Sequence, residues 1–242
     1  MEKKILLVIG ASSDLGMELI SRVIDNYDLI IAHYRTMSES FLKLLNFNAD
    51  RVISIQADFS EQNGVDAFVN KLMELEVVPS HIVFFHSSPL QFSSIERSNW
   101  EKYYRAFEIS VSPIFNVIKT FVPFMKRNKS GKIIITLTNS VNGIPPKFLS
   151  QYLMTKYALL GLVRSLSADY ADKNIQINGV SPEMIETKFI KDIPDYVKEQ
   201  NALDNPMKRN LGVKDVIPTY IWLLSDGADS VTGQNIAVTG GR

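Results

Sequence analysis

Tyr152 and Lys156 stand four residues apart in an apolar stretch with helical spacing, so the phenol and the ammonium share one face. A free phenol, with a pKa of about 10, is a poor acid at neutral pH. An ammonium beside it favours the phenolate and draws that pKa toward a useful range, as a proton-transferring site requires. Tyr152 is the only one of the nine tyrosines with a lysine four residues on. About one such pair arises by chance in a chain of this kind, and an amphipathic helix with a solvated lysine would look the same. The pair therefore needs support from its surroundings. Ser140, a hydroxyl at the end of an apolar run, precedes it.

A second stretch with chemical meaning is Gly10-Ala11-Ser12-Ser13-Asp14-Leu15-Gly16, which follows an apolar run and enters a helical pattern. Glycine at such a turn lets backbone approach a pyrophosphate, and the helix N-terminus supplies N–H groups and a positive dipole end. Tight strand-to-helix packing alone also selects small residues. The position of this turn, after the first strand of an alternating chain, favours a dinucleotide.

The elements that must position these groups are legible as alternating patterns. Short Ile- and Val-rich runs at 5–9, 29–33, 52–56, 82–85, 132–137, 175–180 and 235–238 are apolar on both faces, as strands of a covered parallel sheet are. Between them lie amphipathic stripes, Leu15, Leu19, Ile20, Val23 and Ile24 in one and Val65, Phe68, Val69 and Leu72 in another. Strand, helix, strand repeated in this way predicts an α/β fold, a doubly wound parallel sheet of Rossmann type with about seven strands and helices on both faces. No linker or repeat divides the chain, so residues 1–242 are expected to form a single dinucleotide-binding and catalytic domain. Two segments, 99–125 and 151–170, are apolar almost all round, which predicts burial on more than one side and a homodimer or homotetramer.

Composition narrows the function classes. The chain carries 26 basic and 26 acidic residues, giving no electrostatic reason to expect nucleic acid or an anionic membrane as partner. It has no cysteine, so disulfides, thiolate ligands and a cysteine nucleophile are excluded, in keeping with a cytoplasmic setting. The three scattered histidines, His33, His81 and His86, give no zinc pattern, and no metal site is expected. The first apolar run has five residues, too few for a signal-peptide core or a membrane span.

Taken together, these motifs resemble those of the short-chain dehydrogenases/reductases nearly end to end, and in particular members of the 3-oxoacyl-carrier-protein reductase type. The turn resembles that family's Thr-Gly-x-x-x-Gly-x-Gly, and Asn178-Gly179-Val180-Ser181-Pro182-Glu183-Met184-Ile185-Glu186-Thr187 resembles its Asn-x-x-x-Pro-Gly-x-x-x-Thr. Pro206-Met207-Lys208-Arg209 and the ending Leu224-Ser225-Asp226, Thr232-Gly233-Gln234 and Gly240-Gly241 are equally similar. The resemblance implies a catalytic set of Ser140, Tyr152 and Lys156, with Ser110 where many members have a relay asparagine. It implies cofactor contacts from Gly10, Ser12, Ser13, Leu15 and Gly16, from Asp58 and Phe59 after the third strand, from His86 and Ser87 after the fourth, and from Ile185 and Thr187. Tyr152 and Lys156 would touch the nicotinamide ribose as well. The implied reaction is hydride transfer between a nicotinamide and a carbonyl or secondary alcohol, Tyr152 passing the proton and Ser140 bonding the same oxygen.

Several positions depart from the family pattern. Ile9 replaces the first threonine and Asp14 the middle glycine, where a carboxylate that caps the helix is the expected reading. The usual Asn-Asn-Ala-Gly is Phe85-His86-Ser87-Ser88, leaving His86 either a ribose or substrate contact or a hydrogen-bonded core histidine. Ser140 is one residue closer to Tyr152 than in the commonest spacing, which leaves Asn139 and Thr138 as alternatives. Ser140-Val141-Asn142-Gly143 favours Ser140. At the end of the second strand, Ala32-His33-Tyr34-Arg35-Thr36 offers an arginine and no acid. A guanidinium suits a 2′-phosphate, so NADP(H) is expected in preference to NAD(H). The segment 187–210 mixes Phe189, Ile190, Ile193, Tyr196 and Met207 with charges and would fold over a nonpolar carbonyl or alcohol substrate, an acyl thioester among the candidates. The alternative is a non-catalytic NADP(H)-binding sensor or scaffold of the same fold, favoured by the altered turn and by Ser110.

Overall fold

The computed structural model describes residues 3–61 and 63–242. Among them the apolar runs form seven strands: β1 (Ile5–Ile9), β2 (Leu29–Tyr34), β3 (Val52–Gln56), β4 (His81–Phe84), β5 (Gly131–Thr136), β6 (Ile175–Pro182) and β7 (Asn235–Val238). Every pairing is parallel, in the order β3-β2-β1-β4-β5-β6-β7. β1, β3 and β7 coincide with the expected runs, and the ends of β2, β4, β5 and β6 differ by one or two residues because the backbone ladder, not side-chain polarity, ends a strand. His81 thus opens β4 although histidine breaks the apolar run.

Alternation along each strand sends side chains to two cores. On β1, Ile5, Leu7 and Ile9 face one cluster while Leu6 and Val8 face the other. The helices α1 (Asp14–Val23), α2 (Glu39–Phe47) and α8 (Val213–Leu224) cover the second cluster. The first is covered by α3 (Gly64–Glu74), α5 (Ser112–Asn128) and α6 (Ser150–Tyr170), with α4 (Trp100–Ser110) packed on α5 and α6. A shorter α7 (Asp195–Asp204) lies in the segment after β6. Side-chain caps set several helix starts: Ser13 accepts from the Gly16 N–H, Ser38 from Phe41 and Asn99 from Lys102.

The long pattern expected over 99–125 breaks at Val111 into α4 and α5. Pro113 causes the break, since it has no N–H to give the Ile109 carbonyl and instead sits in the first turn of the new helix. Strand order reverses between β1 and β4, and the crevice at such a point, at the carboxyl ends of the strands, is where this architecture places ligands.

Candidate active site

The glycine turn leaves β1 directly at that crevice. Gly10 has φ +83°, and a Cβ there would lie 2.8 Å from the His86 backbone nitrogen, so only glycine fits. A Cβ on Gly16 would lie 2.7 Å from Ala11, which lets α1 press onto the turn. His33 anchors the turn from below. Its Nδ1 accepts from the Gly10 N–H at 3.1 Å, which leaves Nε2 to donate to the Ala57 carbonyl at 3.1 Å. Burial lowers the His33 pKa to about 4, against smaller opposing effects of the Ala57 bond and the Asp58 charge, so the ring stays neutral and able to accept. Ser13 ties the turn from above, donating to the Gly10 carbonyl and accepting from Gly16.

Asp14 differs from its expected role. Ser13 is the cap of α1; Asp14 is the first residue inside it, and its carboxylate accepts from the Lys188 N–H at 2.8 Å. It thereby pins the segment after β6 to the start of α1, its charge satisfied by a backbone donor.

Beyond Gly10 the loop after β4 holds polar atoms that the protein itself leaves unmatched. Both ring nitrogens of His86 and the hydroxyls of Ser87 and Ser88 are shut off from solvent without a hydrogen-bond partner. The His86 ring stands edge-on to Phe59, which stacks on His33 at 4.4 Å, and one nitrogen faces the carbonyl that Pro113 frees on Ile109. Of the two readings of His86, the unmatched ring atoms favour the ligand contact, while the Ile109 carbonyl beside one nitrogen fits the core histidine. Burial, then the charges of His33 and Lys156, hold its pKa well below the usual value. Unmatched buried polar atoms are rare in native proteins and gather where a ligand belongs. Together with the Gly10 cradle they fit a dinucleotide's polar backbone. At the far side of β2, Arg35 is exposed and faces Asp58. Burial opposes ionisation of Asp58, but bonds from the Ser60 hydroxyl and N–H and the charges of Arg35 and His33 outweigh it, lowering the carboxyl pKa.

The phenol and ammonium do share a face of α6. Lys156 is buried, its Nζ 5.5 Å from the centre of the Tyr152 ring and donating to the Thr136 carbonyl at 2.9 Å. Here the sequence expectation is overturned in sign. Burial pushes the Tyr152 pKa up to about 12, offset in part by the Thr138 hydroxyl, and pushes Lys156 down to about 8. Desolvation of both groups outweighs their proximity. A half-buried, neutral phenol with a partly labile ammonium behind it can donate a proton and be recharged.

The three hydroxyl and amide candidates of the loop now separate. The Thr138 hydroxyl faces the Tyr152 phenol. Asn139 spends its amide on the Glu183 carboxylate at 2.8 Å. Ser140, favoured from the sequence, bonds Thr138 through its own N–H. The short turn Asn139–Val141 is capped by Thr138, so Thr138 and Ser140 both lie at the start of this turn. Ser110, standing where many members have a relay asparagine, is buried and accepts from the Ser88 N–H at 2.9 Å, so it braces the loop after β4.

The last wall is the strand end of β6. Glu183 joins Asn139 to Arg242, Ile185 is buried and bridges Leu211, and the Thr187 hydroxyl faces the Ile185 carbonyl. Phe189 leans toward Tyr152, with ring centres 6.4 Å apart.

A protein-family model described as enoyl-(acyl carrier protein) reductase matches residues 25–242. The chain is a short-chain dehydrogenase/reductase. A 3-oxoacyl-[acyl-carrier-protein] reductase of Staphylococcus aureus is 25% identical over 245 residues, covering 98% of this chain and 97% of the relative. Glucose 1-dehydrogenase 2 of Bacillus subtilis is 24% identical over 248 residues, with 98% and 94% covered. Among solved structures, a 3-oxoacyl-[acyl-carrier protein] reductase of Brucella melitensis superimposes with a TM-score of 0.87 at 21% identity, covering 99% of this chain and 91% of that one. The NADPH-dependent reductase YwfH, involved in bacilysin biosynthesis, gives 0.87 at 22% identity, with 99% and 98% covered. This short-chain dehydrogenase/reductase is an oxidoreductase of the alcohol–carbonyl class.

In this dehydrogenase/reductase, sequence reasoning found the turn, the Tyr152–Lys156 pair and the loop beneath it. It missed His33 as the anchor of Gly10, although a histidine ending a parallel strand was a usable signal. It also missed the Thr136 carbonyl that holds Lys156, because a strand-end carbonyl has no motif. Among the described residues no cluster of His, Cys, Asp and Glu could hold a metal, and no helix is long and apolar enough to cross a membrane.

Proposed function

We propose that the protein is an NADP(H)-dependent carbonyl reductase in which Tyr152 is the general acid. The observation that carries this reading is the half-buried Tyr152 phenol, faced by the Thr138 hydroxyl, with the Lys156 ammonium 5.5 Å from its ring centre. When bound, the nicotinamide supplies the hydride. The chain's own residues supply the rest: Tyr152 gives its proton to the carbonyl oxygen, and a hydroxyl of the 138–140 loop donates to the same oxygen as charge develops on it. Lys156 then returns a proton to the phenol and is itself reprotonated from solvent, which supplies the proton that each reduction consumes. Gly10, Ser12, Ser13, Leu15 and Gly16 would hold the pyrophosphate, and His86, Ser87, Ile185 and Thr187 the nicotinamide half. Asp58 and Phe59 would hold the adenine side and Arg35 the 2′-phosphate.

The relatives named as 3-oxoacyl reductases, and Phe189 beside Tyr152, support an acyl thioester or a similar nonpolar ketone as substrate. A panel of ketones and oxoacyl thioesters, with NADPH consumption followed optically, tests the reading. Turnover of at least one member is expected; binding of NADPH without any reduction across the panel would overturn it.

Assembly belongs to the same reading. Between α5 and α6 an open groove of about 610 Å³ is lined by apolar Phe115, Ile118, Val122, Leu162, Leu166 and Tyr170 together with the basic Lys119, Lys126, Arg127 and Lys173, and Phe115 is 52% exposed. Two copies pairing these faces across a two-fold axis would form a homodimer, or half of a homotetramer. Sedimentation as a monomer at micromolar concentration would exclude it.

A further inference from the structure

Lys156 is 2% exposed, and its one hydrogen bond runs to the Thr136 carbonyl at the last residue of β5. An ammonium so enclosed is placed by whatever places that carbonyl. Ser110 does not do so, since its hydroxyl is engaged by the Ser88 N–H. The Thr136 hydroxyl is held instead, at 2.7 Å, by the phenol of Tyr220. Tyr220 comes from α8 on the opposite side of the sheet, has no exposed surface and packs its ring on Phe85 at 4.9 Å. A phenylalanine would fill the same volume, so apolar packing does not account for the hydroxyl. A hydroxyl buried at that depth is costly unless bonded, and its single bond ends one residue's backbone away from the lysine.

We propose that Tyr220 is a positioning residue for Lys156: by gripping the Thr136 hydroxyl it sets the β5 carbonyl that holds the ammonium against the Tyr152 ring. This rests on the reading of Tyr152 and Lys156 as the reacting pair. The groups that face the lysine are Tyr152 on its own helix, Thr136 on β5 and the His86 ring from the loop after β4. Tyr220 adds a second phenol within electrostatic reach of Tyr152. The device couples a helix of one face of the sheet to a catalytic group on the other.

Tyr220→Phe tests this with the ring volume kept. The expected result is a fall in kcat of about tenfold, as a small misplacement of a catalytic group produces, with a displaced pH profile and little change in KM. A readout free of turnover is the titration of the Lys156 side chain, followed by NMR on protein carrying labelled lysine without cofactor. It should move by about half a pH unit or more as the bond that orients its acceptor is lost. Thr136→Val should reproduce both effects from the other end of the bond, Thr136→Ser should restore the unmodified behaviour, and the double variant should be no worse than either single one. An unmoved pH profile and lysine titration in both Tyr220→Phe and Thr136→Val, or fully additive losses, would overturn the proposal. Tyr152→Phe separates the two levels: if it is inactive while Tyr220→Phe is unaltered, the reading of the site stands and this inference alone falls.

Discussion

The two edges of the sheet treat buried polar groups in opposite ways. At the amino ends of the strands, His81 is buried and its Nδ1 meets the Tyr27 hydroxyl at 2.6 Å, while Lys132 gives its ammonium to the Ser225 carbonyl and the Asp229 carboxylate. At the carboxyl ends, His86, Ser87 and Ser88 keep unmatched atoms, and Lys156 has one backbone acceptor. Both edges carry a histidine whose pKa burial depresses, His81 to about 3 and His33 to about 4. The difference lies in what the neighbours supply. The amino-end groups named have partners inside the fold and serve stability, whereas the unmatched atoms of His86, Ser87 and Ser88 leave bonding capacity open for a ligand.

The largest expected break in that comparison is Tyr152→Phe. The ring stays and only the proton is lost, so turnover should fall by about 10²–10⁴, the usual worth of a positioned acid. NADPH affinity should stay within about twofold because no bond to the cofactor's charged groups is removed. Retained turnover would sink the transferred mechanism. Next comes the loop beneath it. Thr138→Val removes the hydroxyl that faces the phenol and should cost about 10²–10³ in kcat, as other oxyanion donors do. Ser140→Ala should cost far less. If the two are reversed, Ser140 is the donor and the contact seen between Thr138 and Tyr152 is not the reacting arrangement.

Why one residue of that loop was legible and another was not follows from how local each signal is. Tyr152 and Lys156 lie on one helix, so their shared face follows from 3.6-residue periodicity. The glycine turn follows from a φ that only glycine adopts freely, and the strands from Ile and Val runs with two buried faces. Thr138 could not be chosen over Ser140 because the choice depends on how a tight turn folds under a helix from elsewhere. Asp14 was readable as a residue at a helix start, but its partner, the Lys188 N–H, is 174 positions away. The sign of the Tyr152 shift was lost for a related reason. Proximity of a lysine is written in the sequence, whereas the desolvation that outweighs it is set by the whole fold.

A smaller effect sharpens the comparison at the outer rim of the crevice. Arg35 is exposed and close to Asp58, so part of its field is already spent on that carboxylate. Arg35→Ala should still weaken NADPH binding by about 1.5–3 kcal/mol, the range for a hydrogen bond to a charged group, and leave NADH almost unchanged. The gap between the two cofactors should narrow as salt rises. Equal affinities in the unmodified protein would remove the basis for assigning the 2′-phosphate to Arg35.

The smallest effect on catalysis belongs to the opposite edge, where stability alone should respond. Tyr27→Phe leaves the buried His81 Nδ1 without its partner and should cost about 1–3 kcal/mol of stability, read as a lower midpoint in thermal or urea unfolding. Turnover and NADPH affinity should not move. Replacing both partners, as Tyr27→Phe with His81→Leu, should recover most of that loss near neutral pH, because no polar atom is then stranded. The acid dependence should change with it. The ordinary His81 pKa of 6.5 falls to about 3 on folding through burial and the charges of Lys4 and Lys132, with Asp229 opposing. Below pH 6.5 the unfolded chain takes up a proton that the folded chain refuses until about pH 3, so stability declines as pH falls across that window. His33 adds a similar decline, from 6.5 to about 4. The double variant should flatten the first contribution and keep the second. His33→Leu should remove the second and, by freeing the Gly10 N–H, weaken NADPH binding as well. Loss of cofactor affinity in Tyr27→Phe would mean that the two edges are coupled through β4, and that satisfied and unsatisfied polar groups in this sheet cannot be assigned to separate tasks.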